Sequence, residues 1–422
     1  MDSEEILTNL ELGIYDHGLM SQRRTVRSTR KPGSGTISLT EADGILHWDL
    51  GERVRAKRSR STKLRTYRFE DLQPNRISTR LRDLDDRLTP GQGIREITNG
   101  AVGGAASPVS DGRILLFVHG TFSNCEGLLS SIRTTETGRQ YLATAAEHYD
   151  QVLAFNHPTL SVSPFFNALQ LSRAFADSHA EVDIVCHSRG GLVVRWWLET
   201  LRPRDSANCQ VVFVGSPLGG TGLASPANIR GTLDLLANLS RRLKTLSLAG
   251  GIVFPIAAPI FHATALMASV VSSVSSAGAS LPAIDAGLAL MPGLSAQSRQ
   301  GANEEILAIR RGFACAESLR QRLEKQVNRY HFVISNFESE DPGWAFWRHF
   351  RKAKIADIVT NSVFDGPNDL VVDTASMTDL AHDFEGLDKG RQVLDFKTTD
   401  VVHHCNYFHQ ERTIGFISKS LG

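Results

Sequence analysis

A serine does nucleophilic chemistry only when its hydroxyl is pushed clear of the backbone and a base, an acid and an anion-stabilising pair of N–H groups converge on it. Ser188 sits in the run Val182-Asp183-Ile184-Val185-Cys186-His187-Ser188-Arg189-Gly190-Gly191, where an apolar strand-like stretch ends in a tight turn and gives way to Leu192-Val193-Val194-Arg195-Trp196-Trp197-Leu198. That is the pattern of a strand-to-helix elbow, which needs small residues two before and two after the serine so that strand and helix can approach. Gly190 meets the second requirement, and Cys186 stands at the first as a compact apolar side chain. Upstream, Arg113-Ile114-Leu115-Leu116-Phe117-Val118 reads as a buried parallel strand running into His119-Gly120-Thr121-Phe122. An oxyanion hole belongs there: the N–H of Thr121 is the expected first donor and the N–H of Arg189, the residue after the nucleophile, the second.

Taken together these residues resemble the α/β-hydrolase superfamily, in particular the lipases and esterases that carry a His-Gly oxyanion motif. The resemblance implies the chain order serine, acid, histidine. It places the acid at Asp369 in Asn368-Asp369-Leu370-Val371-Val372, which looks like the Asn-Asp-x-x-Val element many bacterial lipases carry after a late strand. Tyr330 to Phe337 supplies a strand before it, although the connection is longer than usual and contains the aromatic-basic run Trp344 to Arg351. Asp365 and Asp373 are its neighbours and rivals. The base follows another strand, Gln392 to Phe396, in Val401-Val402-His403-His404-Cys405. Adjacent histidines point in different directions, so only one can bridge serine and acid. The family pattern favours His404, with His403 as the alternative. In isolation a turn serine, a lone aspartate or a lone histidine is usually satisfied locally; the conjunction, in order, carries the reading.

The elements that must position these groups alternate from about residue 110. Gln151-Val152-Leu153-Ala154-Phe155 and Gln210-Val211-Val212-Phe213-Val214 join the strands already named, separated by helix-like stretches. This implies an α/β fold, a mostly parallel doubly wound sheet with the catalytic turns at the carboxyl ends of its strands. Gly215 to Thr221 is similar to the loop after the sixth strand of lipases. Beyond it, residues 245 to 284 contain no Asp, Glu, Lys or Arg. That is long enough to span a membrane, but Pro255, Pro259 and Pro282 and the serines at 272, 273, 275 and 276 interrupt it. Because the family inserts helices over its active site at this place, a helical lid or acyl pocket, within an insertion of about 217–328, is preferred to a transmembrane anchor.

At 422 residues and 41% hydrophobic, the chain holds more than one unit. Before residue 100 the pattern alternates, as in Thr36 to Thr40 and Ile45 to Leu50 joined through Ala42-Asp43-Gly44, so residues 1–100 read as a small β-rich accessory module. Gly100 to Pro108 reads as flexible, giving a linker over 101–110 and a hydrolase domain over 111–422. The formal net charge of +1 excludes a global pull toward polyanions, and no specific nucleic-acid partner is expected. Residues 20–68 nonetheless hold thirteen Lys or Arg against four acids, with Arg53, Arg55 and Lys57 at strand spacing. A solvated strand face is the ordinary meaning; docking to an anionic membrane surface or a protein partner is the functional one. The five cysteines, Cys125, Cys186, Cys209, Cys315 and Cys405, lack metal-ligand spacing, and the acidic start Met1-Asp2-Ser3-Glu4-Glu5 does not open a signal peptide. The expected setting is therefore cytoplasmic, with peripheral membrane contact as its variant.

The resemblance thus implies a serine hydrolase acting on carboxylic esters, with lipid-like or long-chain acyl groups as substrates and no metal or organic cofactor. The competing class is a catalytically inactive relative that serves as a binding module, docked to a membrane or protein partner through its basic N-terminal region.

Overall fold

The computed structural model describes residues 35–49 apart from 43, 62–69, 74–201, 209–225, 228–250, isolated positions between 254 and 268, 291–298, 325–350, 363–380 apart from 365, and 389–422. Most of the basic region, Cys315 and Asp365 lie outside the described residues.

Two sheets are present. The first has three antiparallel strands, β1 (Gly35–Ala42), β2 (Ile45–Asp49) and β3 (Thr62–Phe69), in the order β2-β1-β3. The second has eight: β4 (Gly93–Thr98), β5 (Ala101–Ala105), β6 (Arg113–Val118), β7 (Gln151–Asn156), β8 (Glu181–His187), β9 (Val211–Val214), β10 (Tyr330–Phe337) and β11 (Val393–Thr399). Their order is β11-β10-β9-β8-β6-β7-β4-β5. From β11 to β7 every neighbouring pair is parallel, while β4 runs antiparallel to β7 and β5 antiparallel to β4.

The central strands are apolar on both faces because both faces are covered, and their two-residue period sorts the side chains. Ile114, Leu116 and Val118 of β6 join Ile184 and Cys186 of β8 in one core with Ala168, Leu171, Val193 and Val194, which belong to the helices Pro164–Ala174 and Gly190–Trp196. Leu115 and Phe117 turn the other way, onto Leu128, Leu129 and Ile132 of the helix Cys125–Ile132, Leu142 of Glu136–His148, and Ile414 and Ile417 of Glu411–Leu421. Polar caps fix where these helices begin. The Asn124 side chain accepts the Gly127 N–H at 2.8 Å and the Thr135 hydroxyl oxygen accepts the Gly138 N–H at 2.9 Å. This is an α/β fold, with helices on both faces of a largely parallel sheet.

A third core contains Phe122, Phe337 and Leu370, which follow or end strands of the large sheet, together with Leu39, Leu46 and Trp48 of the small sheet. Leu81 and Leu84 of the helix Pro74–Leu88 and Leu233, Leu236, Leu239 and Leu243 of the helix Ile229–Gly250 complete it. The small sheet therefore shares its apolar surface with the carboxyl end of the large one.

One boundary differs from the sequence expectation. The stretch 101–110, read as a linker, begins with β5, which pairs with β4 through Thr98↔Ala101 and Ile97↔Val102. The connecting pair Asn99-Gly100 has φ of 53° and 74°, the two positive angles that a two-residue hairpin with the right-handed strand twist requires. Small residues at 101–105 are here an edge strand, and the large sheet begins at Gly93.

Candidate active site

Ser188 follows β8 directly and adopts φ 52°, a left-handed conformation for a residue with a side chain. Close approach on both sides explains the flanking glycines. A Cβ on Gly190 would lie 2.6 Å from the Val118 carbonyl oxygen, and one on Gly120 would lie 2.7 Å from the Ser188 Cβ. The turn after β6 thus rests against the serine. Phe122 in that turn, at φ 57°, and Leu370 beside Asp369, at φ 82°, are also left-handed, so three of the five non-glycine residues with positive φ among the described residues cluster around one point. Such concentration of backbone strain is a feature of sites over-determined by their surroundings.

Asp369 reaches this point although a long stretch of sequence separates it from β10. The Phe337 N–H at the end of β10 donates to the Asn368 carbonyl oxygen at 2.7 Å, and the Asn368 N–H donates to the Asn336 Oδ1 at 3.1 Å. The long connection is an excursion, partly taken up by the turn of helix Pro342–Phe350, that returns to the strand end it left. Asp369 is fully buried, and its Oδ1 accepts the N–H groups of Val371 and Val372 at 3.1 and 2.8 Å. Its Oδ2 faces His404, 2.8 Å from Nδ1. The other ring nitrogen, Nε2, lies 2.9 Å from the Ser188 Oγ. With the Asp369 carboxylate an acceptor only, Nδ1 carries the proton and Nε2 is left to accept from the serine hydroxyl.

The rivals stand elsewhere. His403 is buried among Phe337, Trp344 and Phe254, with ring centroids 5.7, 5.1 and 6.1 Å away, and its Nδ1 accepts the Cys405 N–H. Burial holds it neutral, with its pKa down to about 3. Asp373 pairs with Asn368 across a bridge and precedes the short helix Thr374–Thr378.

Two N–H groups flank the serine. Among the described residues neither the Thr121 nor the Arg189 backbone N–H meets an intramolecular acceptor, whereas the neighbouring Phe122 N–H points to the Thr159 hydroxyl at 3.4 Å and the Ser188 N–H to the Val214 carbonyl at 2.9 Å. Thr121 and Ser188 line the same cavity, which opens to solvent, with Phe122, Leu223, Leu236, Leu239, Ile260 and Leu294 among its walls. Its walls are mostly apolar with a few polar groups at the serine, the lining typical of small-molecule sites. Leu236 and Leu239 come from the helix Ile229–Gly250 and Ile260 from the charge-free segment, so the insertion after β9 forms one wall.

Several residues around the site escape sequence reasoning. The Tyr407 phenol donates to the Asp369 Oδ2 at 3.0 Å and lies 2.8 Å from the Ser335 hydroxyl; burial and the nearby carboxylate push its pKa up, so it stays protonated. His187 Nε2 donates to the His404 carbonyl oxygen at 3.1 Å, and desolvation lowers its pKa to about 3. Gln297 accepts the Thr121 hydroxyl at 3.2 Å and donates to the Gly293 carbonyl at 2.6 Å. Tyr407 and His187 lie within three residues of predicted site residues, which was the available signal; Gln297, distant in sequence, gave none. Among the described residues no group of three or more His, Cys, Asp or Glu is placed to hold a metal ion, and no helix is long and apolar enough to cross a membrane. Among the described residues, Cys125, Cys186, Cys209 and Cys405 form no disulfide.

The solved structures similar to this chain include two lipases. One is the Bacillus licheniformis lipase BlEst2 in mature form, at 13% identity over 75% of this chain and 95% of that one, with a TM-score of 0.37. The other is lipase 1 from Pelosinus fermentans, at 14% identity over 73% of this chain and 98% of that one, with a TM-score of 0.39. No curated protein matches the sequence. The family model described as a domain of unknown function, DUF7379, matches residues 92–422, and the chain belongs to that family.

Proposed function

We propose that the protein is a serine hydrolase of the α/β-hydrolase type that cleaves carboxylic esters through an acyl-enzyme. The observation that carries this reading is the unbroken path Asp369 Oδ2 to His404 Nδ1 to Ser188 Oγ, two contacts of 2.8 and 2.9 Å that end on a serine in an elbow. As Ser188 Oγ attacks the ester carbonyl, its proton passes to His404 Nε2, and Asp369 stabilises the imidazolium and holds its tautomer. The carbonyl oxygen, now an anion, takes the N–H groups of Thr121 and Arg189. Collapse of the tetrahedral adduct breaks the bond to the alcohol, which leaves with the proton from His404. Water then attacks the acyl-enzyme by the same route, releasing the carboxylic acid and restoring Ser188.

The apolar walls of the cavity favour acyl chains over polar acyl groups. Each methylene buried there is worth about 0.8 kcal/mol. In this reading the insertion after β9 acts as a lid and acyl wall, and β1, β2 and β3 form an accessory sheet that supports it. The test is turnover of an ester series from acetate to palmitate by the full chain, with Ser188→Ala as the blank. Turnover that rises with chain length and vanishes in the blank is expected. A protein that binds long-chain esters or vesicles but hydrolyses nothing would instead fit the inactive binding module.

A further inference from the structure

Arg189 follows the nucleophile, and its side chain turns inward rather than to solvent: it is 0% exposed. All of its contacts are neutral acceptors. Nη2 donates to the Val162 carbonyl oxygen at 2.6 Å and to the Asn167 Oδ1 at 2.9 Å, Nη1 donates to the His157 Nδ1 at 3.0 Å, and Nε donates to the Gly293 carbonyl oxygen at 3.3 Å. Among the described residues no carboxylate pairs with it. The nearest influence of that sign is Asp85, whose own oxygens accept the N–H groups of Thr159, Leu160 and Ser161. A buried cation without an ion-pair partner is costly, and cheaper side chains would fill the space. Burial lowers its pKa to about 9, so it remains charged at neutral pH.

The acceptors it chooses lead to the other side of the oxyanion hole. Because an arginine only donates, the His157 Nδ1 must accept, which leaves the proton on Nε2, and Nε2 lies 3.2 Å from the His119 carbonyl oxygen. The His157 backbone N–H separately donates to the His119 Nε2 at 3.1 Å, so the His119 proton sits on Nδ1 and reaches the Gly120 carbonyl at 2.9 Å. The two rings stack at 4.2 Å and 10°. One guanidinium thereby fixes the tautomer and orientation of His157, whose ring holds the His119 carbonyl and stacks on the His119 ring in the turn presenting the Thr121 N–H, while the Arg189 backbone presents the second N–H.

We infer that the Arg189 side chain is a positioning residue that sets both donors of the oxyanion hole at once, through its fork onto His157 and through its own backbone. This rests on the hydrolase reading above.

The experiment compares the full-length protein with Arg189→Lys, Arg189→Met and His157→Phe. It reads kcat and KM on a short-chain ester, the inhibition constant of a trifluoromethyl ketone, which forms a tetrahedral anion on the serine, and the unfolding temperature. Expected are a kcat about 10²-fold lower in Arg189→Met, about tenfold lower in His157→Phe, and partly restored in Arg189→Lys, with KM within about twofold throughout. The ketone should bind more weakly by the same factors. His157→Phe keeps the stacked ring and the backbone N–H and removes the ring hydrogen bonds to Arg189 and the His119 carbonyl, so it carries the test if Arg189→Met does not fold. Variants that unfold at lower temperature yet retain kcat and ketone affinity when folded overturn the inference alone. A wild-type protein that neither turns over esters nor binds the ketone overturns the hydrolase reading and the inference with it.

Discussion

The Trp48 N–H of β2 donates to the Asp234 Oδ1 of the helix Ile229–Gly250 at 2.6 Å, 186 residues away in sequence. Four residues on, the Asn238 Oδ1 accepts the Leu46 N–H at 2.9 Å and its Nδ2 donates to the Leu46 carbonyl at 2.8 Å. Side chains of one helix thus satisfy the backbone of a free sheet edge, as a further strand would. Leu236 and Leu239 of the same helix line the cavity. The small sheet and this wall of the cavity are mechanically one piece.

Asp234→Ala should therefore act at two levels. It leaves the buried Trp48 N–H without this acceptor, at a cost of about 1–3 kcal/mol in denaturant unfolding. It should also raise KM for long-chain esters several-fold more than for acetate, because only the long chains meet the displaced wall. An equal effect on all chain lengths would separate the sheet from the pocket.

The two site glycines should fail differently. Gly190→Ala places a methyl group against two backbone carbonyls, Val118 at 2.6 Å and His119 at 2.7 Å, neither of which can move, and should cost about 1–3 kcal/mol of stability. Gly120→Ala meets the Ser188 Cβ at 2.7 Å and should cost about 10²-fold in kcat by displacing the nucleophile, with a smaller effect on folding. Thermal unfolding and ester kinetics on both variants distinguish these outcomes.

Tyr407→Phe removes one donor from the Asp369 Oδ2 and leaves the two backbone N–H groups on Oδ1 and the imidazole on Oδ2. A loss of about tenfold or less in kcat is expected, against 10³-fold or more for His404→Ala and Asp369→Asn. His403→Ala should leave turnover within about tenfold of wild type, since that ring is walled in by aromatics and is not on the serine.

Acid should destabilise the fold before its carboxylates are protonated. His119, His157 and His403 are buried, and desolvation lowers the pKa of the first and last from 6.5 to about 3 and that of His157 well below its ordinary value. Between about pH 6.5 and 3 the unfolded chain binds protons that the folded one does not, so stability rises with pH across that window and falls on acidification. Each histidine that stays neutral in the fold adds up to one proton to this difference and steepens the slope accordingly. Urea unfolding at pH 5, 6 and 7 should show this slope, and His403→Phe should reduce it. A flat profile would mean these imidazoles are solvated.

The strands and the order of the site groups were legible because buried parallel strands read as apolar runs, and because the elbow needs small residues at fixed offsets from Ser188. The choice between His403 and His404 was not legible in residue physics, since adjacent side chains differ only in what the fold brings against them. The aromatic wall around His403 comes from Phe337, Trp344 and Phe254, all distant in sequence. The edge hairpin was missed because the small residues of 101–105 outweighed Asn99-Gly100, a turn signal that was present. Asp85, Asn238 and Gln297 work through long-range hydrogen bonds to backbone, which leave no local pattern.

The claim that Ser188 is an activated nucleophile is tested most directly by fluorophosphonate labelling of the full chain, followed by peptide mass mapping. The account predicts a single adduct on the peptide containing Ser188, lost in Ser188→Ala and strongly slowed in His404→Ala and Asp369→Asn. An unlabelled wild-type protein, or an adduct that persists in Ser188→Ala, would contradict it.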